Sequence, residues 1–366
     1  MLIAFIVLTV LALMVGQFLP GFSRLALPPA FYAHIALAVG GMTLITAAMQ
    51  HFVPVLCRTR GAGRWMARLP FLMLLAGVLA TAVFAGWLEF AWISVAAGLA
   101  LAGMALMMAW MLSRAQAALG RPHAGLYWYL AAMVCLGVAL VTVWMIPFFP
   151  EWHAPLRAFH WHLNLYGFMA LTAVGTLQVL MPTAAGRPDP HAAVRLRQDL
   201  PWAVLGALCL ALGAAAWPVL AWLGAVLWTG VVVRMVWAWL RQYPRELFAL
   251  HRAEPLLLAA SLGLILSVWL AAQGKLAPLT VFLPAFLMPL VTGAAAVLAP
   301  VWLKLAEPAV HARGRAELAR WGGLRATFFA SAGVLPVLGY SCAGMPALLA
   351  LLWFVALFLW WLWREV

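Results

Sequence analysis

The sequence predicts an all-α polytopic membrane protein of about 12 transmembrane helices, and three observations carry that expectation. Of its 366 residues, 67% are hydrophobic and only 8% are charged, with a mean hydropathy of +1.03. A soluble chain is nearer half apolar and a quarter charged. Apolar runs of the ~20 residues needed to cross a bilayer follow one another along the whole chain. Basic residues crowd into every second connection, the pattern that loop charge imposes on membrane topology.

The expected spans, with ends loose by a few residues, are 2–20, 31–56, 69–88, 91–112, 126–148, 158–182, 200–216, 218–240, 254–273, 278–303, 324–341 and 346–363. The first has no charged segment ahead of it and no polar break after it, so it reads as a retained span rather than a cleavable signal. Cys57, Cys135, Cys209 and Cys342 show no Cys-x-x-Cys spacing, and neither a disulfide framework nor a zinc site is expected.

The net charge of +13 is explained by placement, without nucleic acid as a partner. Connections after even-numbered spans hold Arg58, Arg60, Arg64 and Arg68, then Arg114 and Arg121, then further sets around Arg187–Arg197, Arg241–Arg252 and Lys304–Arg325. Those after odd-numbered spans hold only Arg24, Arg157 and Lys275. The positive-inside rule then puts both termini in the cytoplasm of a bacterial-type inner membrane. Arg234 stands within the eighth span, without an acid at neighbouring helical positions, near enough to the basic end to snorkel.

Spans 2, 6 and 10 are expected to be copies of one another. A shift of 128 carries Ala30, Phe31, His34, Leu37, Gln50 and Pro54 onto Ala158, Phe159, His162, Leu165, Gln178 and Pro182. A further 118 carries Leu165, Phe168, Gly175 and Pro182 onto Leu283, Phe286, Gly293 and Pro300. One transmembrane domain of three pseudo-repeats, roughly 1–125, 126–253 and 254–366, is the simplest account.

Polar chemistry concentrates in 159–188, which opens Phe-His-Trp-His-Leu-Asn-Leu-Tyr. Polar residues inside a membrane are costly and usually face a partner in the bundle, and neutral imidazole is the commonest metal ligand. His34 and His162 are expected at one depth near the outer ends of their spans, with His160 as a second candidate. Tyr166, four residues after His162, is expected on its face. His51 lies 17 residues past His34, roughly 25 Å away along a helix, and belongs to the inner end. Met104, Met107, Met108 and Met111 form a stripe whose ordinary role is packing, although thioethers also suit Cu(I). No nucleotide-binding loop, nucleophile triad or His-Glu-x-x-His occurs, and the residues leave open whether the chain is an enzyme.

Twelve spans with threefold repetition and histidines on spans 2 and 6 resemble the large subunit of heme–copper oxidases and nitric oxide reductases. That resemblance implies a low-spin heme ligand at His34 and a copper ligand at His162. The His162-x-x-x-Tyr166 spacing looks like the family's His–Tyr pair. Span 7 lacks the family's copper-ligating histidines, and span 10 has Thr280 and Pro284 where spans 6 has His162 and Tyr166, so a complete oxygen-reducing centre is not implied. A shorter stretch is similar to the NnrS family of heme- and copper-containing membrane proteins: His160-Trp161-His162, Gly167-Phe168, Gly175, Pro182 and Gly186-Arg187-Pro188 match its motif, while Leu163-Asn164 replaces its Glu-Met.

Together these resemblances imply a membrane protein that binds heme b, with copper as a second candidate, in nitric oxide- or oxygen-related redox or stress chemistry. They assign His34, His162 and His160 as metal ligands. Tyr166 and Asn164 would be hydrogen-bond donors to a ligand, and Arg24 and Arg157 partners for heme propionates. The implied partners are lipid, a diatomic gas or quinol, and a second copy or a respiratory complex. Two alternatives stand beside this: a transporter of heme or copper, and a cofactor-free assembly partner.

Overall fold

The computed structural model describes residues 1–22, 27–274, 279–303, 307–340 and 344–365. Arg24, Lys275, Lys304 and Cys342 lie outside the described residues. Every regular element among them is a helix, as expected where backbone N–H and C=O groups must be satisfied without water. The helices are α1 Leu2–Phe22, α2 Pro29–Cys57, α3 Met66–Phe84, α4 Trp92–Gln116, α5 Gly125–Phe148, α6 Pro150–Ala185 and α7 Ala192–Ala215. They continue with α8 Pro218–Gln242, α9 Glu254–Gln273, α10 Leu279–Leu303, α11 Pro308–Leu318, α12 Gly322–Val334 and α13 Gly344–Glu365. Eleven of these, all but α11 and α12, are long and apolar enough to cross a membrane. The chain is a multi-pass helical membrane protein.

The expected span at 324–341 is corrected. Its helix, α12, has 13 residues and stops at Val334. Pro336 disfavours helix at the residue before it, and Gly339 adopts a left-handed φ of 83°, so residues 335–340 form successive turns. The chain nevertheless passes from one end of the bundle to the other here. Gly322 and Gly323 sit against the backbone of Leu250–Arg252 at the arginine-rich end, whereas Gly333 sits against Val281 and Ala285 near the start of α10.

Both chain ends share the arginine-rich end. Met1, Leu2 and Ile3 border a small pocket with His51 and Trp302, near the last turns of α2 and α10. Phe18, late in α1, packs on Gly344 at the start of α13, so those helices are antiparallel. Arg364 then meets Glu317 of α11 at 2.9 Å.

Helix ends follow local chemistry. Pro29, Pro218, Pro255 and Pro308 stand in first turns, where a missing N–H removes no helical bond. Left-handed residues Arg58, Gly186 and Gly274 close α2, α6 and α9, the conformation that ends many helices. Between helices, small residues allow close backbone approach, the usual device inside bilayers. Gly263 of α9 lies directly against the carbonyl of Ala285 in α10, and Gly77 of α3 against the backbone of Ala38 in α2. The Met104 methyl fills the space over Gly137 of α5, while Met107 and Met111 are buried. The methionine stripe is packing.

The α2, α6 and α10 helices each widen into a π-helical turn: Ile35–Met42, Leu163–Met169 and Phe282–Leu287. The first two begin one residue after His34 and His162. Such turns are rare and gather at functional sites.

At the arginine-rich end, buried polar groups tie α6 to its neighbours. Arg195 donates from Nε to Gln178 Oε1 at 2.7 Å and from Nη2 to Asp189 at 2.7 Å. Arg187 reaches Glu246 at 2.9 Å, and the Tyr243 hydroxyl donates to the Arg187 carbonyl. Arg234 is not left to snorkel alone. Its Nε lies 3.1 Å from Asp199 Oδ1 on α7, an acid from the adjacent helix that neighbour spacing along α8 does not reveal.

Candidate functional site

The three candidate histidines gather at the end of the bundle opposite the arginines. His34 ends the first α-helical turns of α2, and its Nδ1 lies 2.7 Å from the Ala30 carbonyl. His162 occupies the matching place in α6, with Nδ1 2.8 Å from the Ala158 carbonyl. His160 differs: its Nδ1 crosses to the Ala139 carbonyl of α5 at 2.8 Å. A carbonyl oxygen only accepts, so each ring carries its proton on Nδ1, and each neutral ring keeps its lone pair on Nε2. Metal-ligating histidines are commonly oriented this way, by donating the other ring N–H to a backbone carbonyl.

His34 and His160 lie close enough for a charge on one to act on the other. The His34 ring also packs on Phe84 of α3, with centroids 4.5 Å apart and planes at 31°. The His162 ring faces Tyr166, 6.1 Å away. Among the described residues, no group of three or more His, Cys, Asp or Glu side chains is placed to hold a metal ion.

Both expected hydrogen-bond donors have partners within the protein. Tyr166 is fully buried, and its hydroxyl lies 2.8 Å from Ser267 Oγ and 3.1 Å from the Ser267 carbonyl on α9. The π turn at 163–169 changes the residue spacing per turn, and Tyr166 leans toward α9 and against Phe282. Asn164 Nδ2 donates to the His160 carbonyl at 2.8 Å and lies 3.3 Å from its Nδ1. Its Nδ2 also lies 3.5 Å from His160 Nε2. Arg157 is exposed on the first turns of α6 and forms no ion pair among the described residues.

A second feature was missed by sequence reasoning. A cavity of about 120 Å³ lies between α1, α2, α5, α6 and α10. Tyr129, Thr172 and Thr176 line one side of it, and the Tyr129 hydroxyl lies 2.8 Å from Thr176 Oγ1. The available signal was positional: the shifts of 128 and 118 place Ala48 and Ala294 where α6 has Thr176.

No family model, characterised protein or solved structure matches the chain. Its class is defined by its own architecture: a multi-pass helical membrane protein with paired histidines at one end and an arginine network at the other.

Proposed function

We propose that the chain is a membrane hemoprotein of the heme–copper oxidase/NnrS type, without a complete oxygen-reducing centre, that acts in nitric oxide- or oxygen-related redox or stress chemistry. The observation that carries this reading is the common orientation of His34, His160 and His162. Each Nδ1–H is anchored on a backbone carbonyl, leaving Nε2 as the ligating atom. His34 and His160, whose charges are coupled, are the preferred pair for one heme b iron, and His162 is the reserve ligand. Copper at one or two of these imidazoles is the second candidate.

When bound, the heme would supply reversible one-electron chemistry. The protein's part is to fix the imidazoles: the Ala139 carbonyl holds His160, and Phe84 braces His34. The positive-inside rule places the arginine-rich end in the cytoplasm of a bacterial-type inner membrane and the histidines toward the outside. Three pseudo-repeated four-helix units account for the matching π turns, and the terminal prolines Pro54, Pro182 and Pro300 fit the same account.

The test is absorption spectroscopy with metal analysis of protein purified from heme-replete cells. A Soret band is expected, and it should be lost in His34→Ala and in His160→Ala. A colourless wild-type preparation, free of iron and copper, overturns the reading.

A further inference from the structure

The arginine-rich end is not uniform. In the later part of the chain its arginines are partly neutralised: Arg187, Arg195, Arg234, Arg252 and Arg364 each meet a carboxylate at 2.7–3.1 Å. The α2–α3 and α4–α5 connections and their flanking turns carry Arg58, Arg60, Arg64, Arg68, Arg114 and Arg121. None of these six forms an ion pair among the described residues. The sequence explains the difference. Before Asp189 the only acids are Glu89 and Glu151. Glu89 follows α3 and Glu151 opens α6, both at the histidine end.

Local structure gathers these arginines on one surface. Arg58 closes α2 in the left-handed conformation, and the Thr59 N–H donates to the Pro54 carbonyl at 2.9 Å. Gln50 Nε2 donates to the Met66 carbonyl at 2.5 Å, so the α2–α3 connection is tied down at both ends. The α4–α5 connection is bonded to the same helix end, because the His123 N–H donates to the Leu56 carbonyl at 2.9 Å. Five of the six arginines are exposed, and Arg114 is half-buried.

Uncompensated guanidinium groups at such spacing call for an anion, and their planar forks match phosphate oxygens in pairs. Depth and neighbours decide its source. Arg58 follows the last residue of α2, Arg68 lies in the first turn of α3, and Arg114 lies in the last turn of α4. Side chains at the ends of spanning helices stand at headgroup level. Apolar side chains are exposed beside them: Val55 at 64%, Trp65 at 83% and Leu119 at 73%. The Arg68 guanidinium lies over the Trp65 ring, 4.9 Å from its centroid, and tryptophan is enriched at the membrane–water interface. A free phosphate would use the arginines and leave the apolar side chains wet. A phospholipid covers both.

We infer that the surface formed by the α2–α3 and α4–α5 connections binds an anionic phospholipid, its phosphate on the arginines and its glycerol and upper acyl carbons against Val55, Trp65 and Leu119. The inference uses none of the histidines and stands apart from the heme reading.

The experiment is native mass spectrometry of the delipidated full-length protein in detergent, titrated with phosphatidylglycerol and with phosphatidylcholine of identical acyl chains. Phosphatidylglycerol should bind more tightly. Each arginine removed from the surface should weaken it about fivefold, the value of one charge near anionic headgroups. Arg60→Gln with Arg64→Gln should therefore weaken phosphatidylglycerol about 25-fold and leave phosphatidylcholine unchanged. Arg241→Gln with Arg245→Gln removes the same charge from exposed positions at the same end, beside Glu246, and should change neither lipid more than about twofold. Glycerol 3-phosphate, which lacks acyl chains, should not displace the lipid at equal concentration. Equal affinity for the two lipids, equal loss in the two double variants, or displacement by glycerol 3-phosphate would each overturn the inference. Should Arg60→Gln with Arg64→Gln fail to give a monodisperse protein, Arg121→Gln on the second connection, with its fivefold loss, takes its place.

Discussion

His160 takes its hydrogen bond from outside its own helix: its Nδ1–H donates across 2.8 Å to the carbonyl of Ala139 on α5. His34 and His162, by contrast, bond to carbonyls four residues earlier in their own helices. The orientation of His160 therefore depends on how α5 and α6 pack, and that separates ligand from structural roles. His160→Gln keeps a donor for Ala139 and removes the imidazole lone pair. It should leave the thermal midpoint within the range of about 0.5 kcal/mol and lose the Soret band. His160→Ala should lose the band and, in addition, about 1 kcal/mol of stability. Retention of the band in both variants would remove His160 from the ligand pair.

Close approach of α9 and α10 depends on the absence of a side chain at Gly263. An added Cβ there meets the Ala285 carbonyl, and backbone on both sides prevents relief by a rotamer change. Gly263→Ala is expected to cost about 1–3 kcal/mol, read as a lowered thermal midpoint in detergent. An unchanged midpoint would mean that the two helices are not in contact at this position.

The Arg195 guanidinium is 7% exposed and the Asp189 carboxylate beside it 1%, and Gln178 Oε1 takes its Nε–H. Arg195→Ala leaves a buried carboxylate without its cation, a loss on the order of 3 kcal/mol. Arg195→Ala with Asp189→Asn should recover part of that loss. Equal destabilisation by the single and double variants would show that the pair carries no coupling.

His123, ahead of α5, accepts the Gly125 N–H at Nδ1 across 3.1 Å. Burial first, and then the charge of Arg197, holds its imidazole below the ordinary value of 6.5. With the folded value depressed, the unfolded chain binds more protons below 6.5. The contribution is complete above that pH and is lost as the pH falls through the folded value. The thermal midpoint should fall between about pH 7 and about pH 5, the histidine range. His123→Asn, which accepts the same N–H without titrating, should flatten that fall.

Hydropathy made most helices legible because a span needs only length and apolar composition, and these are properties of a segment. The 324–341 stretch escaped that rule. Its composition is that of a span, but Pro336 and Gly339 govern the backbone locally, and hydropathy does not count them. Three positions aligned between spans 2, 6 and 10, Ala48, Thr176 and Ala294, border one cavity.

Partner identity was not legible. Tyr166 meets Ser267, and Arg234 meets Asp199. Each contact depends on which helix stands alongside and how it is rotated. In a chain apolar on nearly every face, no polar stripe announces that rotation. The His162–Tyr166 spacing did bring the two rings within 6.1 Å, but it could not show that the Tyr166 hydroxyl is taken by Ser267.

The short α12 has a consequence for the surrounding bilayer. Thirteen residues span only about 20 Å, against a hydrocarbon core of about 30 Å, and the side of α12 bearing Thr327, Ala330, Ser331 and Val334 is exposed. Lipids beside that face must shorten or tilt, or let headgroups sink toward Ser331, while lipids along the 25-residue α8 meet a full-length wall. A bilayer around the molecule would meet helical walls of unequal height. Hydrophobic mismatch of this kind sorts proteins among bilayers, so acyl-chain length would set where this chain is most at ease.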